Sequence, residues 1–236
     1  MSRNFAKYLT RIHKWAGLIL GLQIFIWFAS GFFMTLFPID QVRGRHIATA
    51  EPVALTDTHI IPIEIAMTAY EGQLTGARLT TLPTGPAYIL MGDTGEIVMN
   101  AKDGTFISSL DEASVRKVAE QYYMGEAAIA SLRKLDAAPR EYRGALPVWQ
   151  VEFADKSNTR IYLDTKTAEL KAVRTRLWRV FDVAWRFHII DITGEDNFNA
   201  WWLKLASFLA MLFAISGFGL LWHRFMGRRR LRRLAA

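Results

Sequence analysis

The 236-residue sequence contains no cysteine. Disulfide bonds, thiolate-ligated metal centres and cysteine-ligated iron–sulfur clusters are therefore excluded. Any folded domain must be stabilised by burying apolar side chains, which make up 51% of the residues. A domain of about 160 residues can bury enough of them without covalent cross-links.

Charge is missing from two long apolar stretches, residues 15–37 and 205–222. About 20 apolar residues in a helix cross a bilayer core of about 30 Å, so the first stretch is long enough alone. Residues 201–203 extend the second stretch, and Lys204 can reach the interface with its ammonium group. A cleaved signal peptide is the alternative for the first stretch. Its apolar run exceeds the roughly 7–15 residues of a signal core, so we expect an uncleaved span.

Acidic residues are missing from the segments that flank these spans. The flanks contain ten of the 29 basic residues and none of the 22 acids, so the remainder carries 19 basic and 22 acidic residues, a net charge of −3. The ten are Arg3, Lys7, Arg11, Lys14, Arg224, Arg228, Arg229, Arg230, Arg232 and Arg233. Flanks of this kind are typical of cytoplasmic anchors that face anionic lipid. Because the region between the spans is not basic, nucleic acid is not expected as a partner.

These patterns predict a topology. Residues 1–14 and 223–236 are expected to be basic cytoplasmic tails, and residues 15–37 and 201–222 to be transmembrane helices. Residues 38–200 then form a periplasmic domain, and the chain lies in the inner membrane of a bacterium.

The region between the spans shows the same order of elements twice. A helical pattern over residues 61–71 precedes short strand patterns up to residue 108, and a second helical pattern over 111–123 precedes strand patterns up to residue 173. We expect one repeat at about 60–108 and another at about 111–173, each a helix followed by an antiparallel sheet. The fold class predicted is an α+β membrane protein.

Residues 174–191 have a different pattern. Leu177, Phe181, Ala184 and His188 share one helical face, whereas arginine and aspartate lie on another. This periodicity is consistent with two alternatives, an amphipathic helix on the membrane surface and a helix packed on the sheet, and it favours neither.

Two segments of the sequence resemble the PepSY-associated transmembrane family. They are residues 11–37 (RIHKWAGLILGLQIFIWFASGFFMTLF) and 216–224 (SGFGLLWHR). Residues 148–173 (VWQVEFADKSNTRIYLDTKTAELKAV) resemble a PepSY domain, with a tryptophan-containing strand, an acidic turn and a further strand. The repeats would then be PepSY-like. Larger members have four spans and bind two b-type haems, and they are described as reductases that pass electrons outward to ferric siderophores. The resemblance implies one or two haem b groups here, although this chain has only two spans.

Four of the five histidines lie at predicted membrane boundaries. His13 and His223 would be at the cytoplasmic face, one on each span, and His46 and His188 at the outer face. Imidazole is a ligand of haem iron, so we expect one haem between His13 and His223, and a second that uses His188 with His46 or another donor. His59 is expected to be a surface residue.

Cations and glycines accompany these histidines. Arg11, Lys14 and Arg224 on the inner side and Arg43, Arg45 and Arg186 on the outer side are candidates to bind haem propionates. Gly17, Gly21, Gly217 and Gly219 each remove a side chain where a porphyrin could lie. Each feature also has an ordinary explanation: histidine and arginine at an interface bind headgroups or water, and a Gly-x-x-x-Gly pattern favours helix packing.

Two functional hypotheses follow. In the first, the chain is a haem b electron-transfer protein that receives electrons from a cytoplasmic or quinol donor and passes them to a periplasmic acceptor, with a ferric siderophore as one candidate. In the second, it is a non-redox module in which the PepSY repeats bind a peptide or protein. No glycine fingerprint for a nucleotide follows a predicted strand. Because two helices offer few surfaces to enclose a porphyrin, we also expect a homodimer with Gly17 and Gly21 near the contact.

Overall fold

The computed structural model describes the backbone of residues 3–50, 54–55, 59–191, 193, 197 and 199–234, and their side chains except those of 3–6, 9 and 226–234. The predicted basic side chains at Arg3 and from Arg228 onward lie outside this description. The chain forms two compact units. We call Met1–Leu36 with Phe181–Ala236 the helical unit, and Phe37–Val180 the sheet unit.

Two long apolar helices dominate the helical unit. Helix α1 spans Arg3–Thr35, and helix α6 spans Trp201–Leu234. Their segments Thr10–Thr35 and Trp201–Phe225 are long and apolar enough to cross a membrane, and almost none of their residues are buried. Large side chains such as Leu18, Phe25 and Phe218 stand exposed. A core helix of a soluble protein would bury such side chains, whereas a helix that faces lipid exposes them.

The first repeat of the sheet unit is a short helix and a four-stranded antiparallel sheet. Helix α3 (Ile63–Thr68) precedes β1 (Leu74–Leu82), β2 (Gly85–Gly92), β3 (Gly95–Asn100) and β4 (Phe106–Ile107), paired in chain order. Tyr88, Leu90 and Met99 pack beneath Ala66 of the helix. Tight turns fix the register, since Gly92 pairs with Gly95 and Leu82 with Gly85.

The second repeat has the same order of elements. Helix α4 (Glu112–Tyr122) precedes β5 (Ile129–Leu135), β6 (Val148–Phe153), β7 (Arg160–Asp164) and β8 (Leu170–Arg174), again paired in chain order. The Asp111 side chain accepts a hydrogen bond from the Ser114 amide and so caps the helix. Val115 and Ala119 pack against Val151 and Ile161 of the sheet. The α+β class and the repeated helix-plus-antiparallel-sheet order are confirmed.

One backbone and one side-chain hydrogen bond help to connect the two repeats. The Leu110 amide donates to the Thr165 carbonyl, and Lys166 Nζ donates to the Glu96 carbonyl. A four-residue helix, α2 (Ile39–Val42), opens the sheet unit. The residues after it add an isolated bridge between Ala48 and Tyr123.

Helix α5 (Arg176–His188) begins in the sheet unit and ends in the helical unit. None of its residues is buried. The Thr175 hydroxyl accepts a hydrogen bond from the Trp178 amide, and the Arg174 guanidinium lies 4.1 Å from the centre of the Trp178 ring. Its first turn is therefore held within the sheet unit by a cap and a cation–π contact.

Candidate functional site

His13, on α1, docks against α6. Its Nδ1 lies 2.7 Å from the Ser216 hydroxyl, and its ring stacks on Phe213 with 4.2 Å between centroids and 5° between planes. A Cβ at Gly217 would lie 3.1 Å from the histidine Cε1, so the glycine is what lets the ring approach α6 so closely. His13 is therefore half-buried in the contact between α1 and α6.

His188, the last residue of α5, docks against α1 in the same way. Its Nδ1 lies 3.2 Å from both the Ser30 hydroxyl and the Trp27 carbonyl oxygen. The ring stacks on Trp27 at 5.3 Å, and a Cβ at Gly31 would lie 3.1 Å from Cε1. Ser30 itself is buried.

We call the residues that receive the two histidines docking sites: Phe213, Ser216 and Gly217 for His13, and Trp27, Ser30 and Gly31 for His188. The two docking sites share one local sequence pattern. An aromatic residue is followed three positions later by Ser-Gly-Phe: WFASGF at residues 27–32 and FAISGF at residues 213–218. In each, the serine hydroxyl donates to the carbonyl of the aromatic residue, Ser30 to Trp27 at 3.0 Å and Ser216 to Phe213 at 2.7 Å. Sequence reasoning missed both serines. The repeated Ser-Gly-Phe, once in each span, was the available signal.

The docking sites lie near opposite ends of α1. Ser30 lies 17 positions after His13, which corresponds to about 26 Å along the helix axis. This is close to the roughly 30 Å thickness of a bilayer core. A membrane that contains α1 would therefore have one docked histidine near each of its faces.

The other histidines are exposed. His223 lies on α6 six residues beyond Gly217, about 9 Å further along the axis than the site that receives His13. The structure therefore places His13 beside Ser216 rather than beside His223 of the same chain. His46 follows α2 in the sheet unit, and His59 precedes α3.

The cations proposed for propionates differ in their surroundings. Arg11, Lys14, Arg43, Arg45 and Arg224 are exposed, and Arg45 forms an ion pair with Asp40 at 3.0 Å. Arg186 is only 20% exposed and lies 3.8 Å from the nearly buried carboxylate of Asp191. Beside it is a cavity of about 390 Å³, lined by Gln23, Ile26, Val183, Arg186, Phe187, Ile190 and Asp191.

The predicted glycines divide into two kinds. A Cβ at Gly17 would lie 3.2 Å from the Phe213 ring, so Gly17 serves the contact between α1 and α6, as Gly217 does. A Cβ at Gly21 or Gly219 would meet no atom within 4 Å. Only Gly21 and Gly219 therefore leave open space beside their helix.

A separate charged cluster lies in the sheet unit and centres on Glu141. Its carboxylate accepts hydrogen bonds from Arg179 at 2.7 Å, Tyr162 at 2.8 Å and Arg160 at 3.2 Å. Burial raises the pKa of Glu141, but the hydrogen bonds from Arg179 and Tyr162 outweigh it, so the pKa is lowered overall. Burial and the Glu141 carboxylate together raise the pKa of the Tyr162 hydroxyl. The cluster ties the first turn of α5 to β7.

Among the described residues, no group of three or more His, Asp or Glu side chains is arranged to hold a metal ion.

Comparison with known proteins gives one family. The model of the PepSY-associated TM region matches residues 10–236, which cover both candidate spans and the whole sheet unit. Neither a search of curated proteins nor one of solved structures finds a match. The two candidate spans, their exposed apolar surface and this match over nearly the whole chain show a membrane protein, and the chain belongs to the PepSY-associated transmembrane family.

Proposed function

We propose that this membrane protein binds haem b and transfers electrons across the inner membrane to a periplasmic acceptor. The observation that carries the proposal is the pair of docked histidines: His13 and Ser30, the residue that receives His188, lie about 26 Å apart along α1. A single centre cannot present an edge to both faces of a bilayer core about 30 Å thick, whereas two can.

The donor set fits haem b. Bound haem supplies one-electron chemistry, and a histidine that donates a hydrogen bond from Nδ1 is a usual form of metal ligand. Phe213 and Trp27 restrict rotation of the two rings, and Gly217 and Gly31 admit them. Arg186, with its partly buried guanidinium beside a cavity, is the cation best placed to receive a propionate on the outer side.

The proposal includes a second ligand for each haem. His223 is the partner of His13, within one chain or across a dimer, and His188 pairs with His46 or another donor. The exposed position of His223 favours the arrangement across a dimer. Gly21, with open space beside it, is available for such a contact, whereas Gly17 already packs against Phe213. The donor is a cytoplasmic protein or quinol, and a ferric siderophore is the candidate acceptor.

The test is spectroscopic. The full chain, purified in mild detergent, should be red and show reduced-minus-oxidised bands of low-spin haem b. His13→Ala and His223→Ala should remove or convert to high spin the same haem, and His188→Ala a different one. His59→Ala, at an exposed position before α3, is the matched control and should leave both spectra unchanged.

Two outcomes would contradict the proposal. If the folded protein is colourless after haem supplementation, the family's non-redox alternative, a membrane-anchored binding module, is favoured. If all three variants keep normal low-spin spectra, the histidines serve helix packing alone.

A further inference from the structure

The serine in each docking site has only one proton to donate. Ser216 directs it to the Phe213 carbonyl at 2.7 Å, and Ser30 directs it to the Trp27 carbonyl at 3.0 Å. A carbonyl oxygen can only accept, so each serine oxygen is left as an acceptor toward the histidine beside it.

This assignment fixes which ring nitrogen carries the proton. The short contact of 2.7 Å between Ser216 Oγ and His13 Nδ1 then requires an Nδ1–H group. At His188 a second observation leads to the same result, since Nδ1 also lies 3.2 Å from the Trp27 carbonyl oxygen. A lone pair on Nδ1 would face that oxygen unfavourably, whereas a proton bonds to it.

We propose that Ser30 and Ser216 are positioning residues that hold His188 and His13 in the Nδ1–H tautomer and leave Nε2 as the nitrogen that binds a metal-containing ligand. A neutral imidazole with a proton on Nδ1 has its lone pair on Nε2. Among the described residues, none forms a hydrogen bond with Nε2 of either ring. The identity of the ligand as haem rests on the proposed function; the tautomer does not.

Each of the three residues in the repeated pattern has the same role on both spans. The aromatic residue supplies the stacking surface and the carbonyl, the serine accepts the Nδ1 proton, and the glycine makes room for Cε1. A hydrogen bond at Nδ1 also makes Nε2 a more basic ligand, as in other histidine–metal sites.

The first measurement is nitrogen NMR on haem-free full-length protein in detergent, with histidine labelled with ¹⁵N. His13 and His188 should each show a protonated Nδ1 and an unprotonated Nε2. Ser216→Ala should remove this signature from His13 only. Ser30→Ala should weaken the Nδ1 hydrogen bond of His188 only, because the Trp27 carbonyl remains as a second acceptor of the proton. Ser216→Thr, which keeps a hydroxyl, should restore the signature of His13, and Ser207→Ala, at an exposed serine of α6, should change neither ring.

The second measurement is made on haem-loaded protein. Ser216→Ala should shift the midpoint potential of the His13 haem to a more positive value, because a less basic ligand stabilises ferric iron less. Its haem affinity should fall by about tenfold or more. Ser30→Ala should act in the same way on the other haem.

The two measurements separate the possible failures. If Ser216→Ala keeps the Nδ1–H signature of His13, or if the wild type shows protonated Nε2, the positioning role is wrong. The shifts are read without haem, so they decide this role even if the chain binds no haem and the proposed function fails.

Discussion

At the scale of single residues, the Glu141 carboxylate pairs with two arginines of the sheet unit, Arg160 and Arg179. Glu141 lies in the connection before β6 and accepts hydrogen bonds from α5 and β7, and its backbone carbonyl accepts one from Arg174 at 2.6 Å. Its side chain is 12% exposed, whereas those of Arg160 and Arg179 are about 30% exposed. The carboxylate is thus the more desolvated partner, and its loss would leave Arg179 without its carboxylate acceptor and Arg160 with Glu152 alone.

Glu141→Gln should lower the free energy of unfolding at pH 7 by about 2 kcal/mol, because hydrogen bonds to a charged group are lost. The folded-state pKa of Glu141 lies below its ordinary value of 4.5, so its ionised form stabilises the fold above pH 4.5. That contribution is lost as the pH falls through the folded pKa. Thermal unfolding of the full chain, followed by near-ultraviolet circular dichroism, should show the difference from wild type shrink below pH 4.5.

Glu120→Gln is the control for this prediction, since it removes an exposed carboxylate on α4. It should change the unfolding temperature little at any pH. A Glu141→Gln variant whose deficit is constant from pH 7 to pH 3 would show that the loss is one of packing and not of charge.

Sequence position identified the histidines but not what holds them. His13 was found because it stands just before a charge-free segment, and His188 because it lies near the end of the predicted amphipathic helix that precedes the second span. Ser216 is 203 positions from His13, and Ser30 is 158 positions from His188, so no local pattern connects them. Glu141 was missed for the same reason: its partners on β7 and α5 are distant in sequence, and only the fold brings them together.

At the scale of elements, the segment that follows α2 depends on a glycine. Gly44 has φ of +72°, and a Cβ there would lie 2.6 Å from Val173 Cγ1 on β8. Gly104, after β3, has a nearly equal φ of +75°, but a Cβ there would lie 3.4 Å from its nearest neighbour, Ile61. The two positions therefore share the same backbone strain and differ in the space around them.

Gly104→Ala should cost about 1 kcal/mol, because an L side chain disfavours positive φ. Gly44→Ala should cost roughly 1–3 kcal/mol more, because the added methyl also displaces Val173. Thermal unfolding of the two full-length variants measures the difference directly. Equal costs would mean that β8 moves freely away from Gly44.

Elements with strong local signals were predicted well. The alternating pattern of VWQVEF gives β6 at Val148–Phe153, the bounds that the sequence indicates. Helix α3 is shorter than its apolar spacing predicts, Ile63–Thr68 instead of residues 61–71, because Pro62 is its N-cap and the chain must turn before β1. Helix α2 was not predicted, since four residues carry no periodicity.

At the scale of the whole molecule, the distribution of charge predicts which side of the membrane each part occupies. Basic residues flank the apolar segments of α1 and α6 at the ends that carry His13 and His223, and the acids all belong to the region between the spans. Two spans return the chain to the side from which it started. If those flanks are cytoplasmic, the sheet unit and His46 are periplasmic, and the docked His188 lies toward the periplasmic face.

Reporter fusions test this topology. A fluorescent reporter fused after Ala236 should fold and emit in the cytoplasm. A phosphatase that is active only after export should be active when it is inserted between Asp103 and Gly104, in the exposed turn after β3. A phosphatase inserted between Lys156 and Ser157, in the turn between β6 and β7, must give the same result, because both repeats belong to one compact unit. The opposite pattern at both insertions would place the sheet unit in the cytoplasm. The proposed outward transfer of electrons would then be reversed in direction, while the two histidine docking sites would keep their positions at opposite ends of α1.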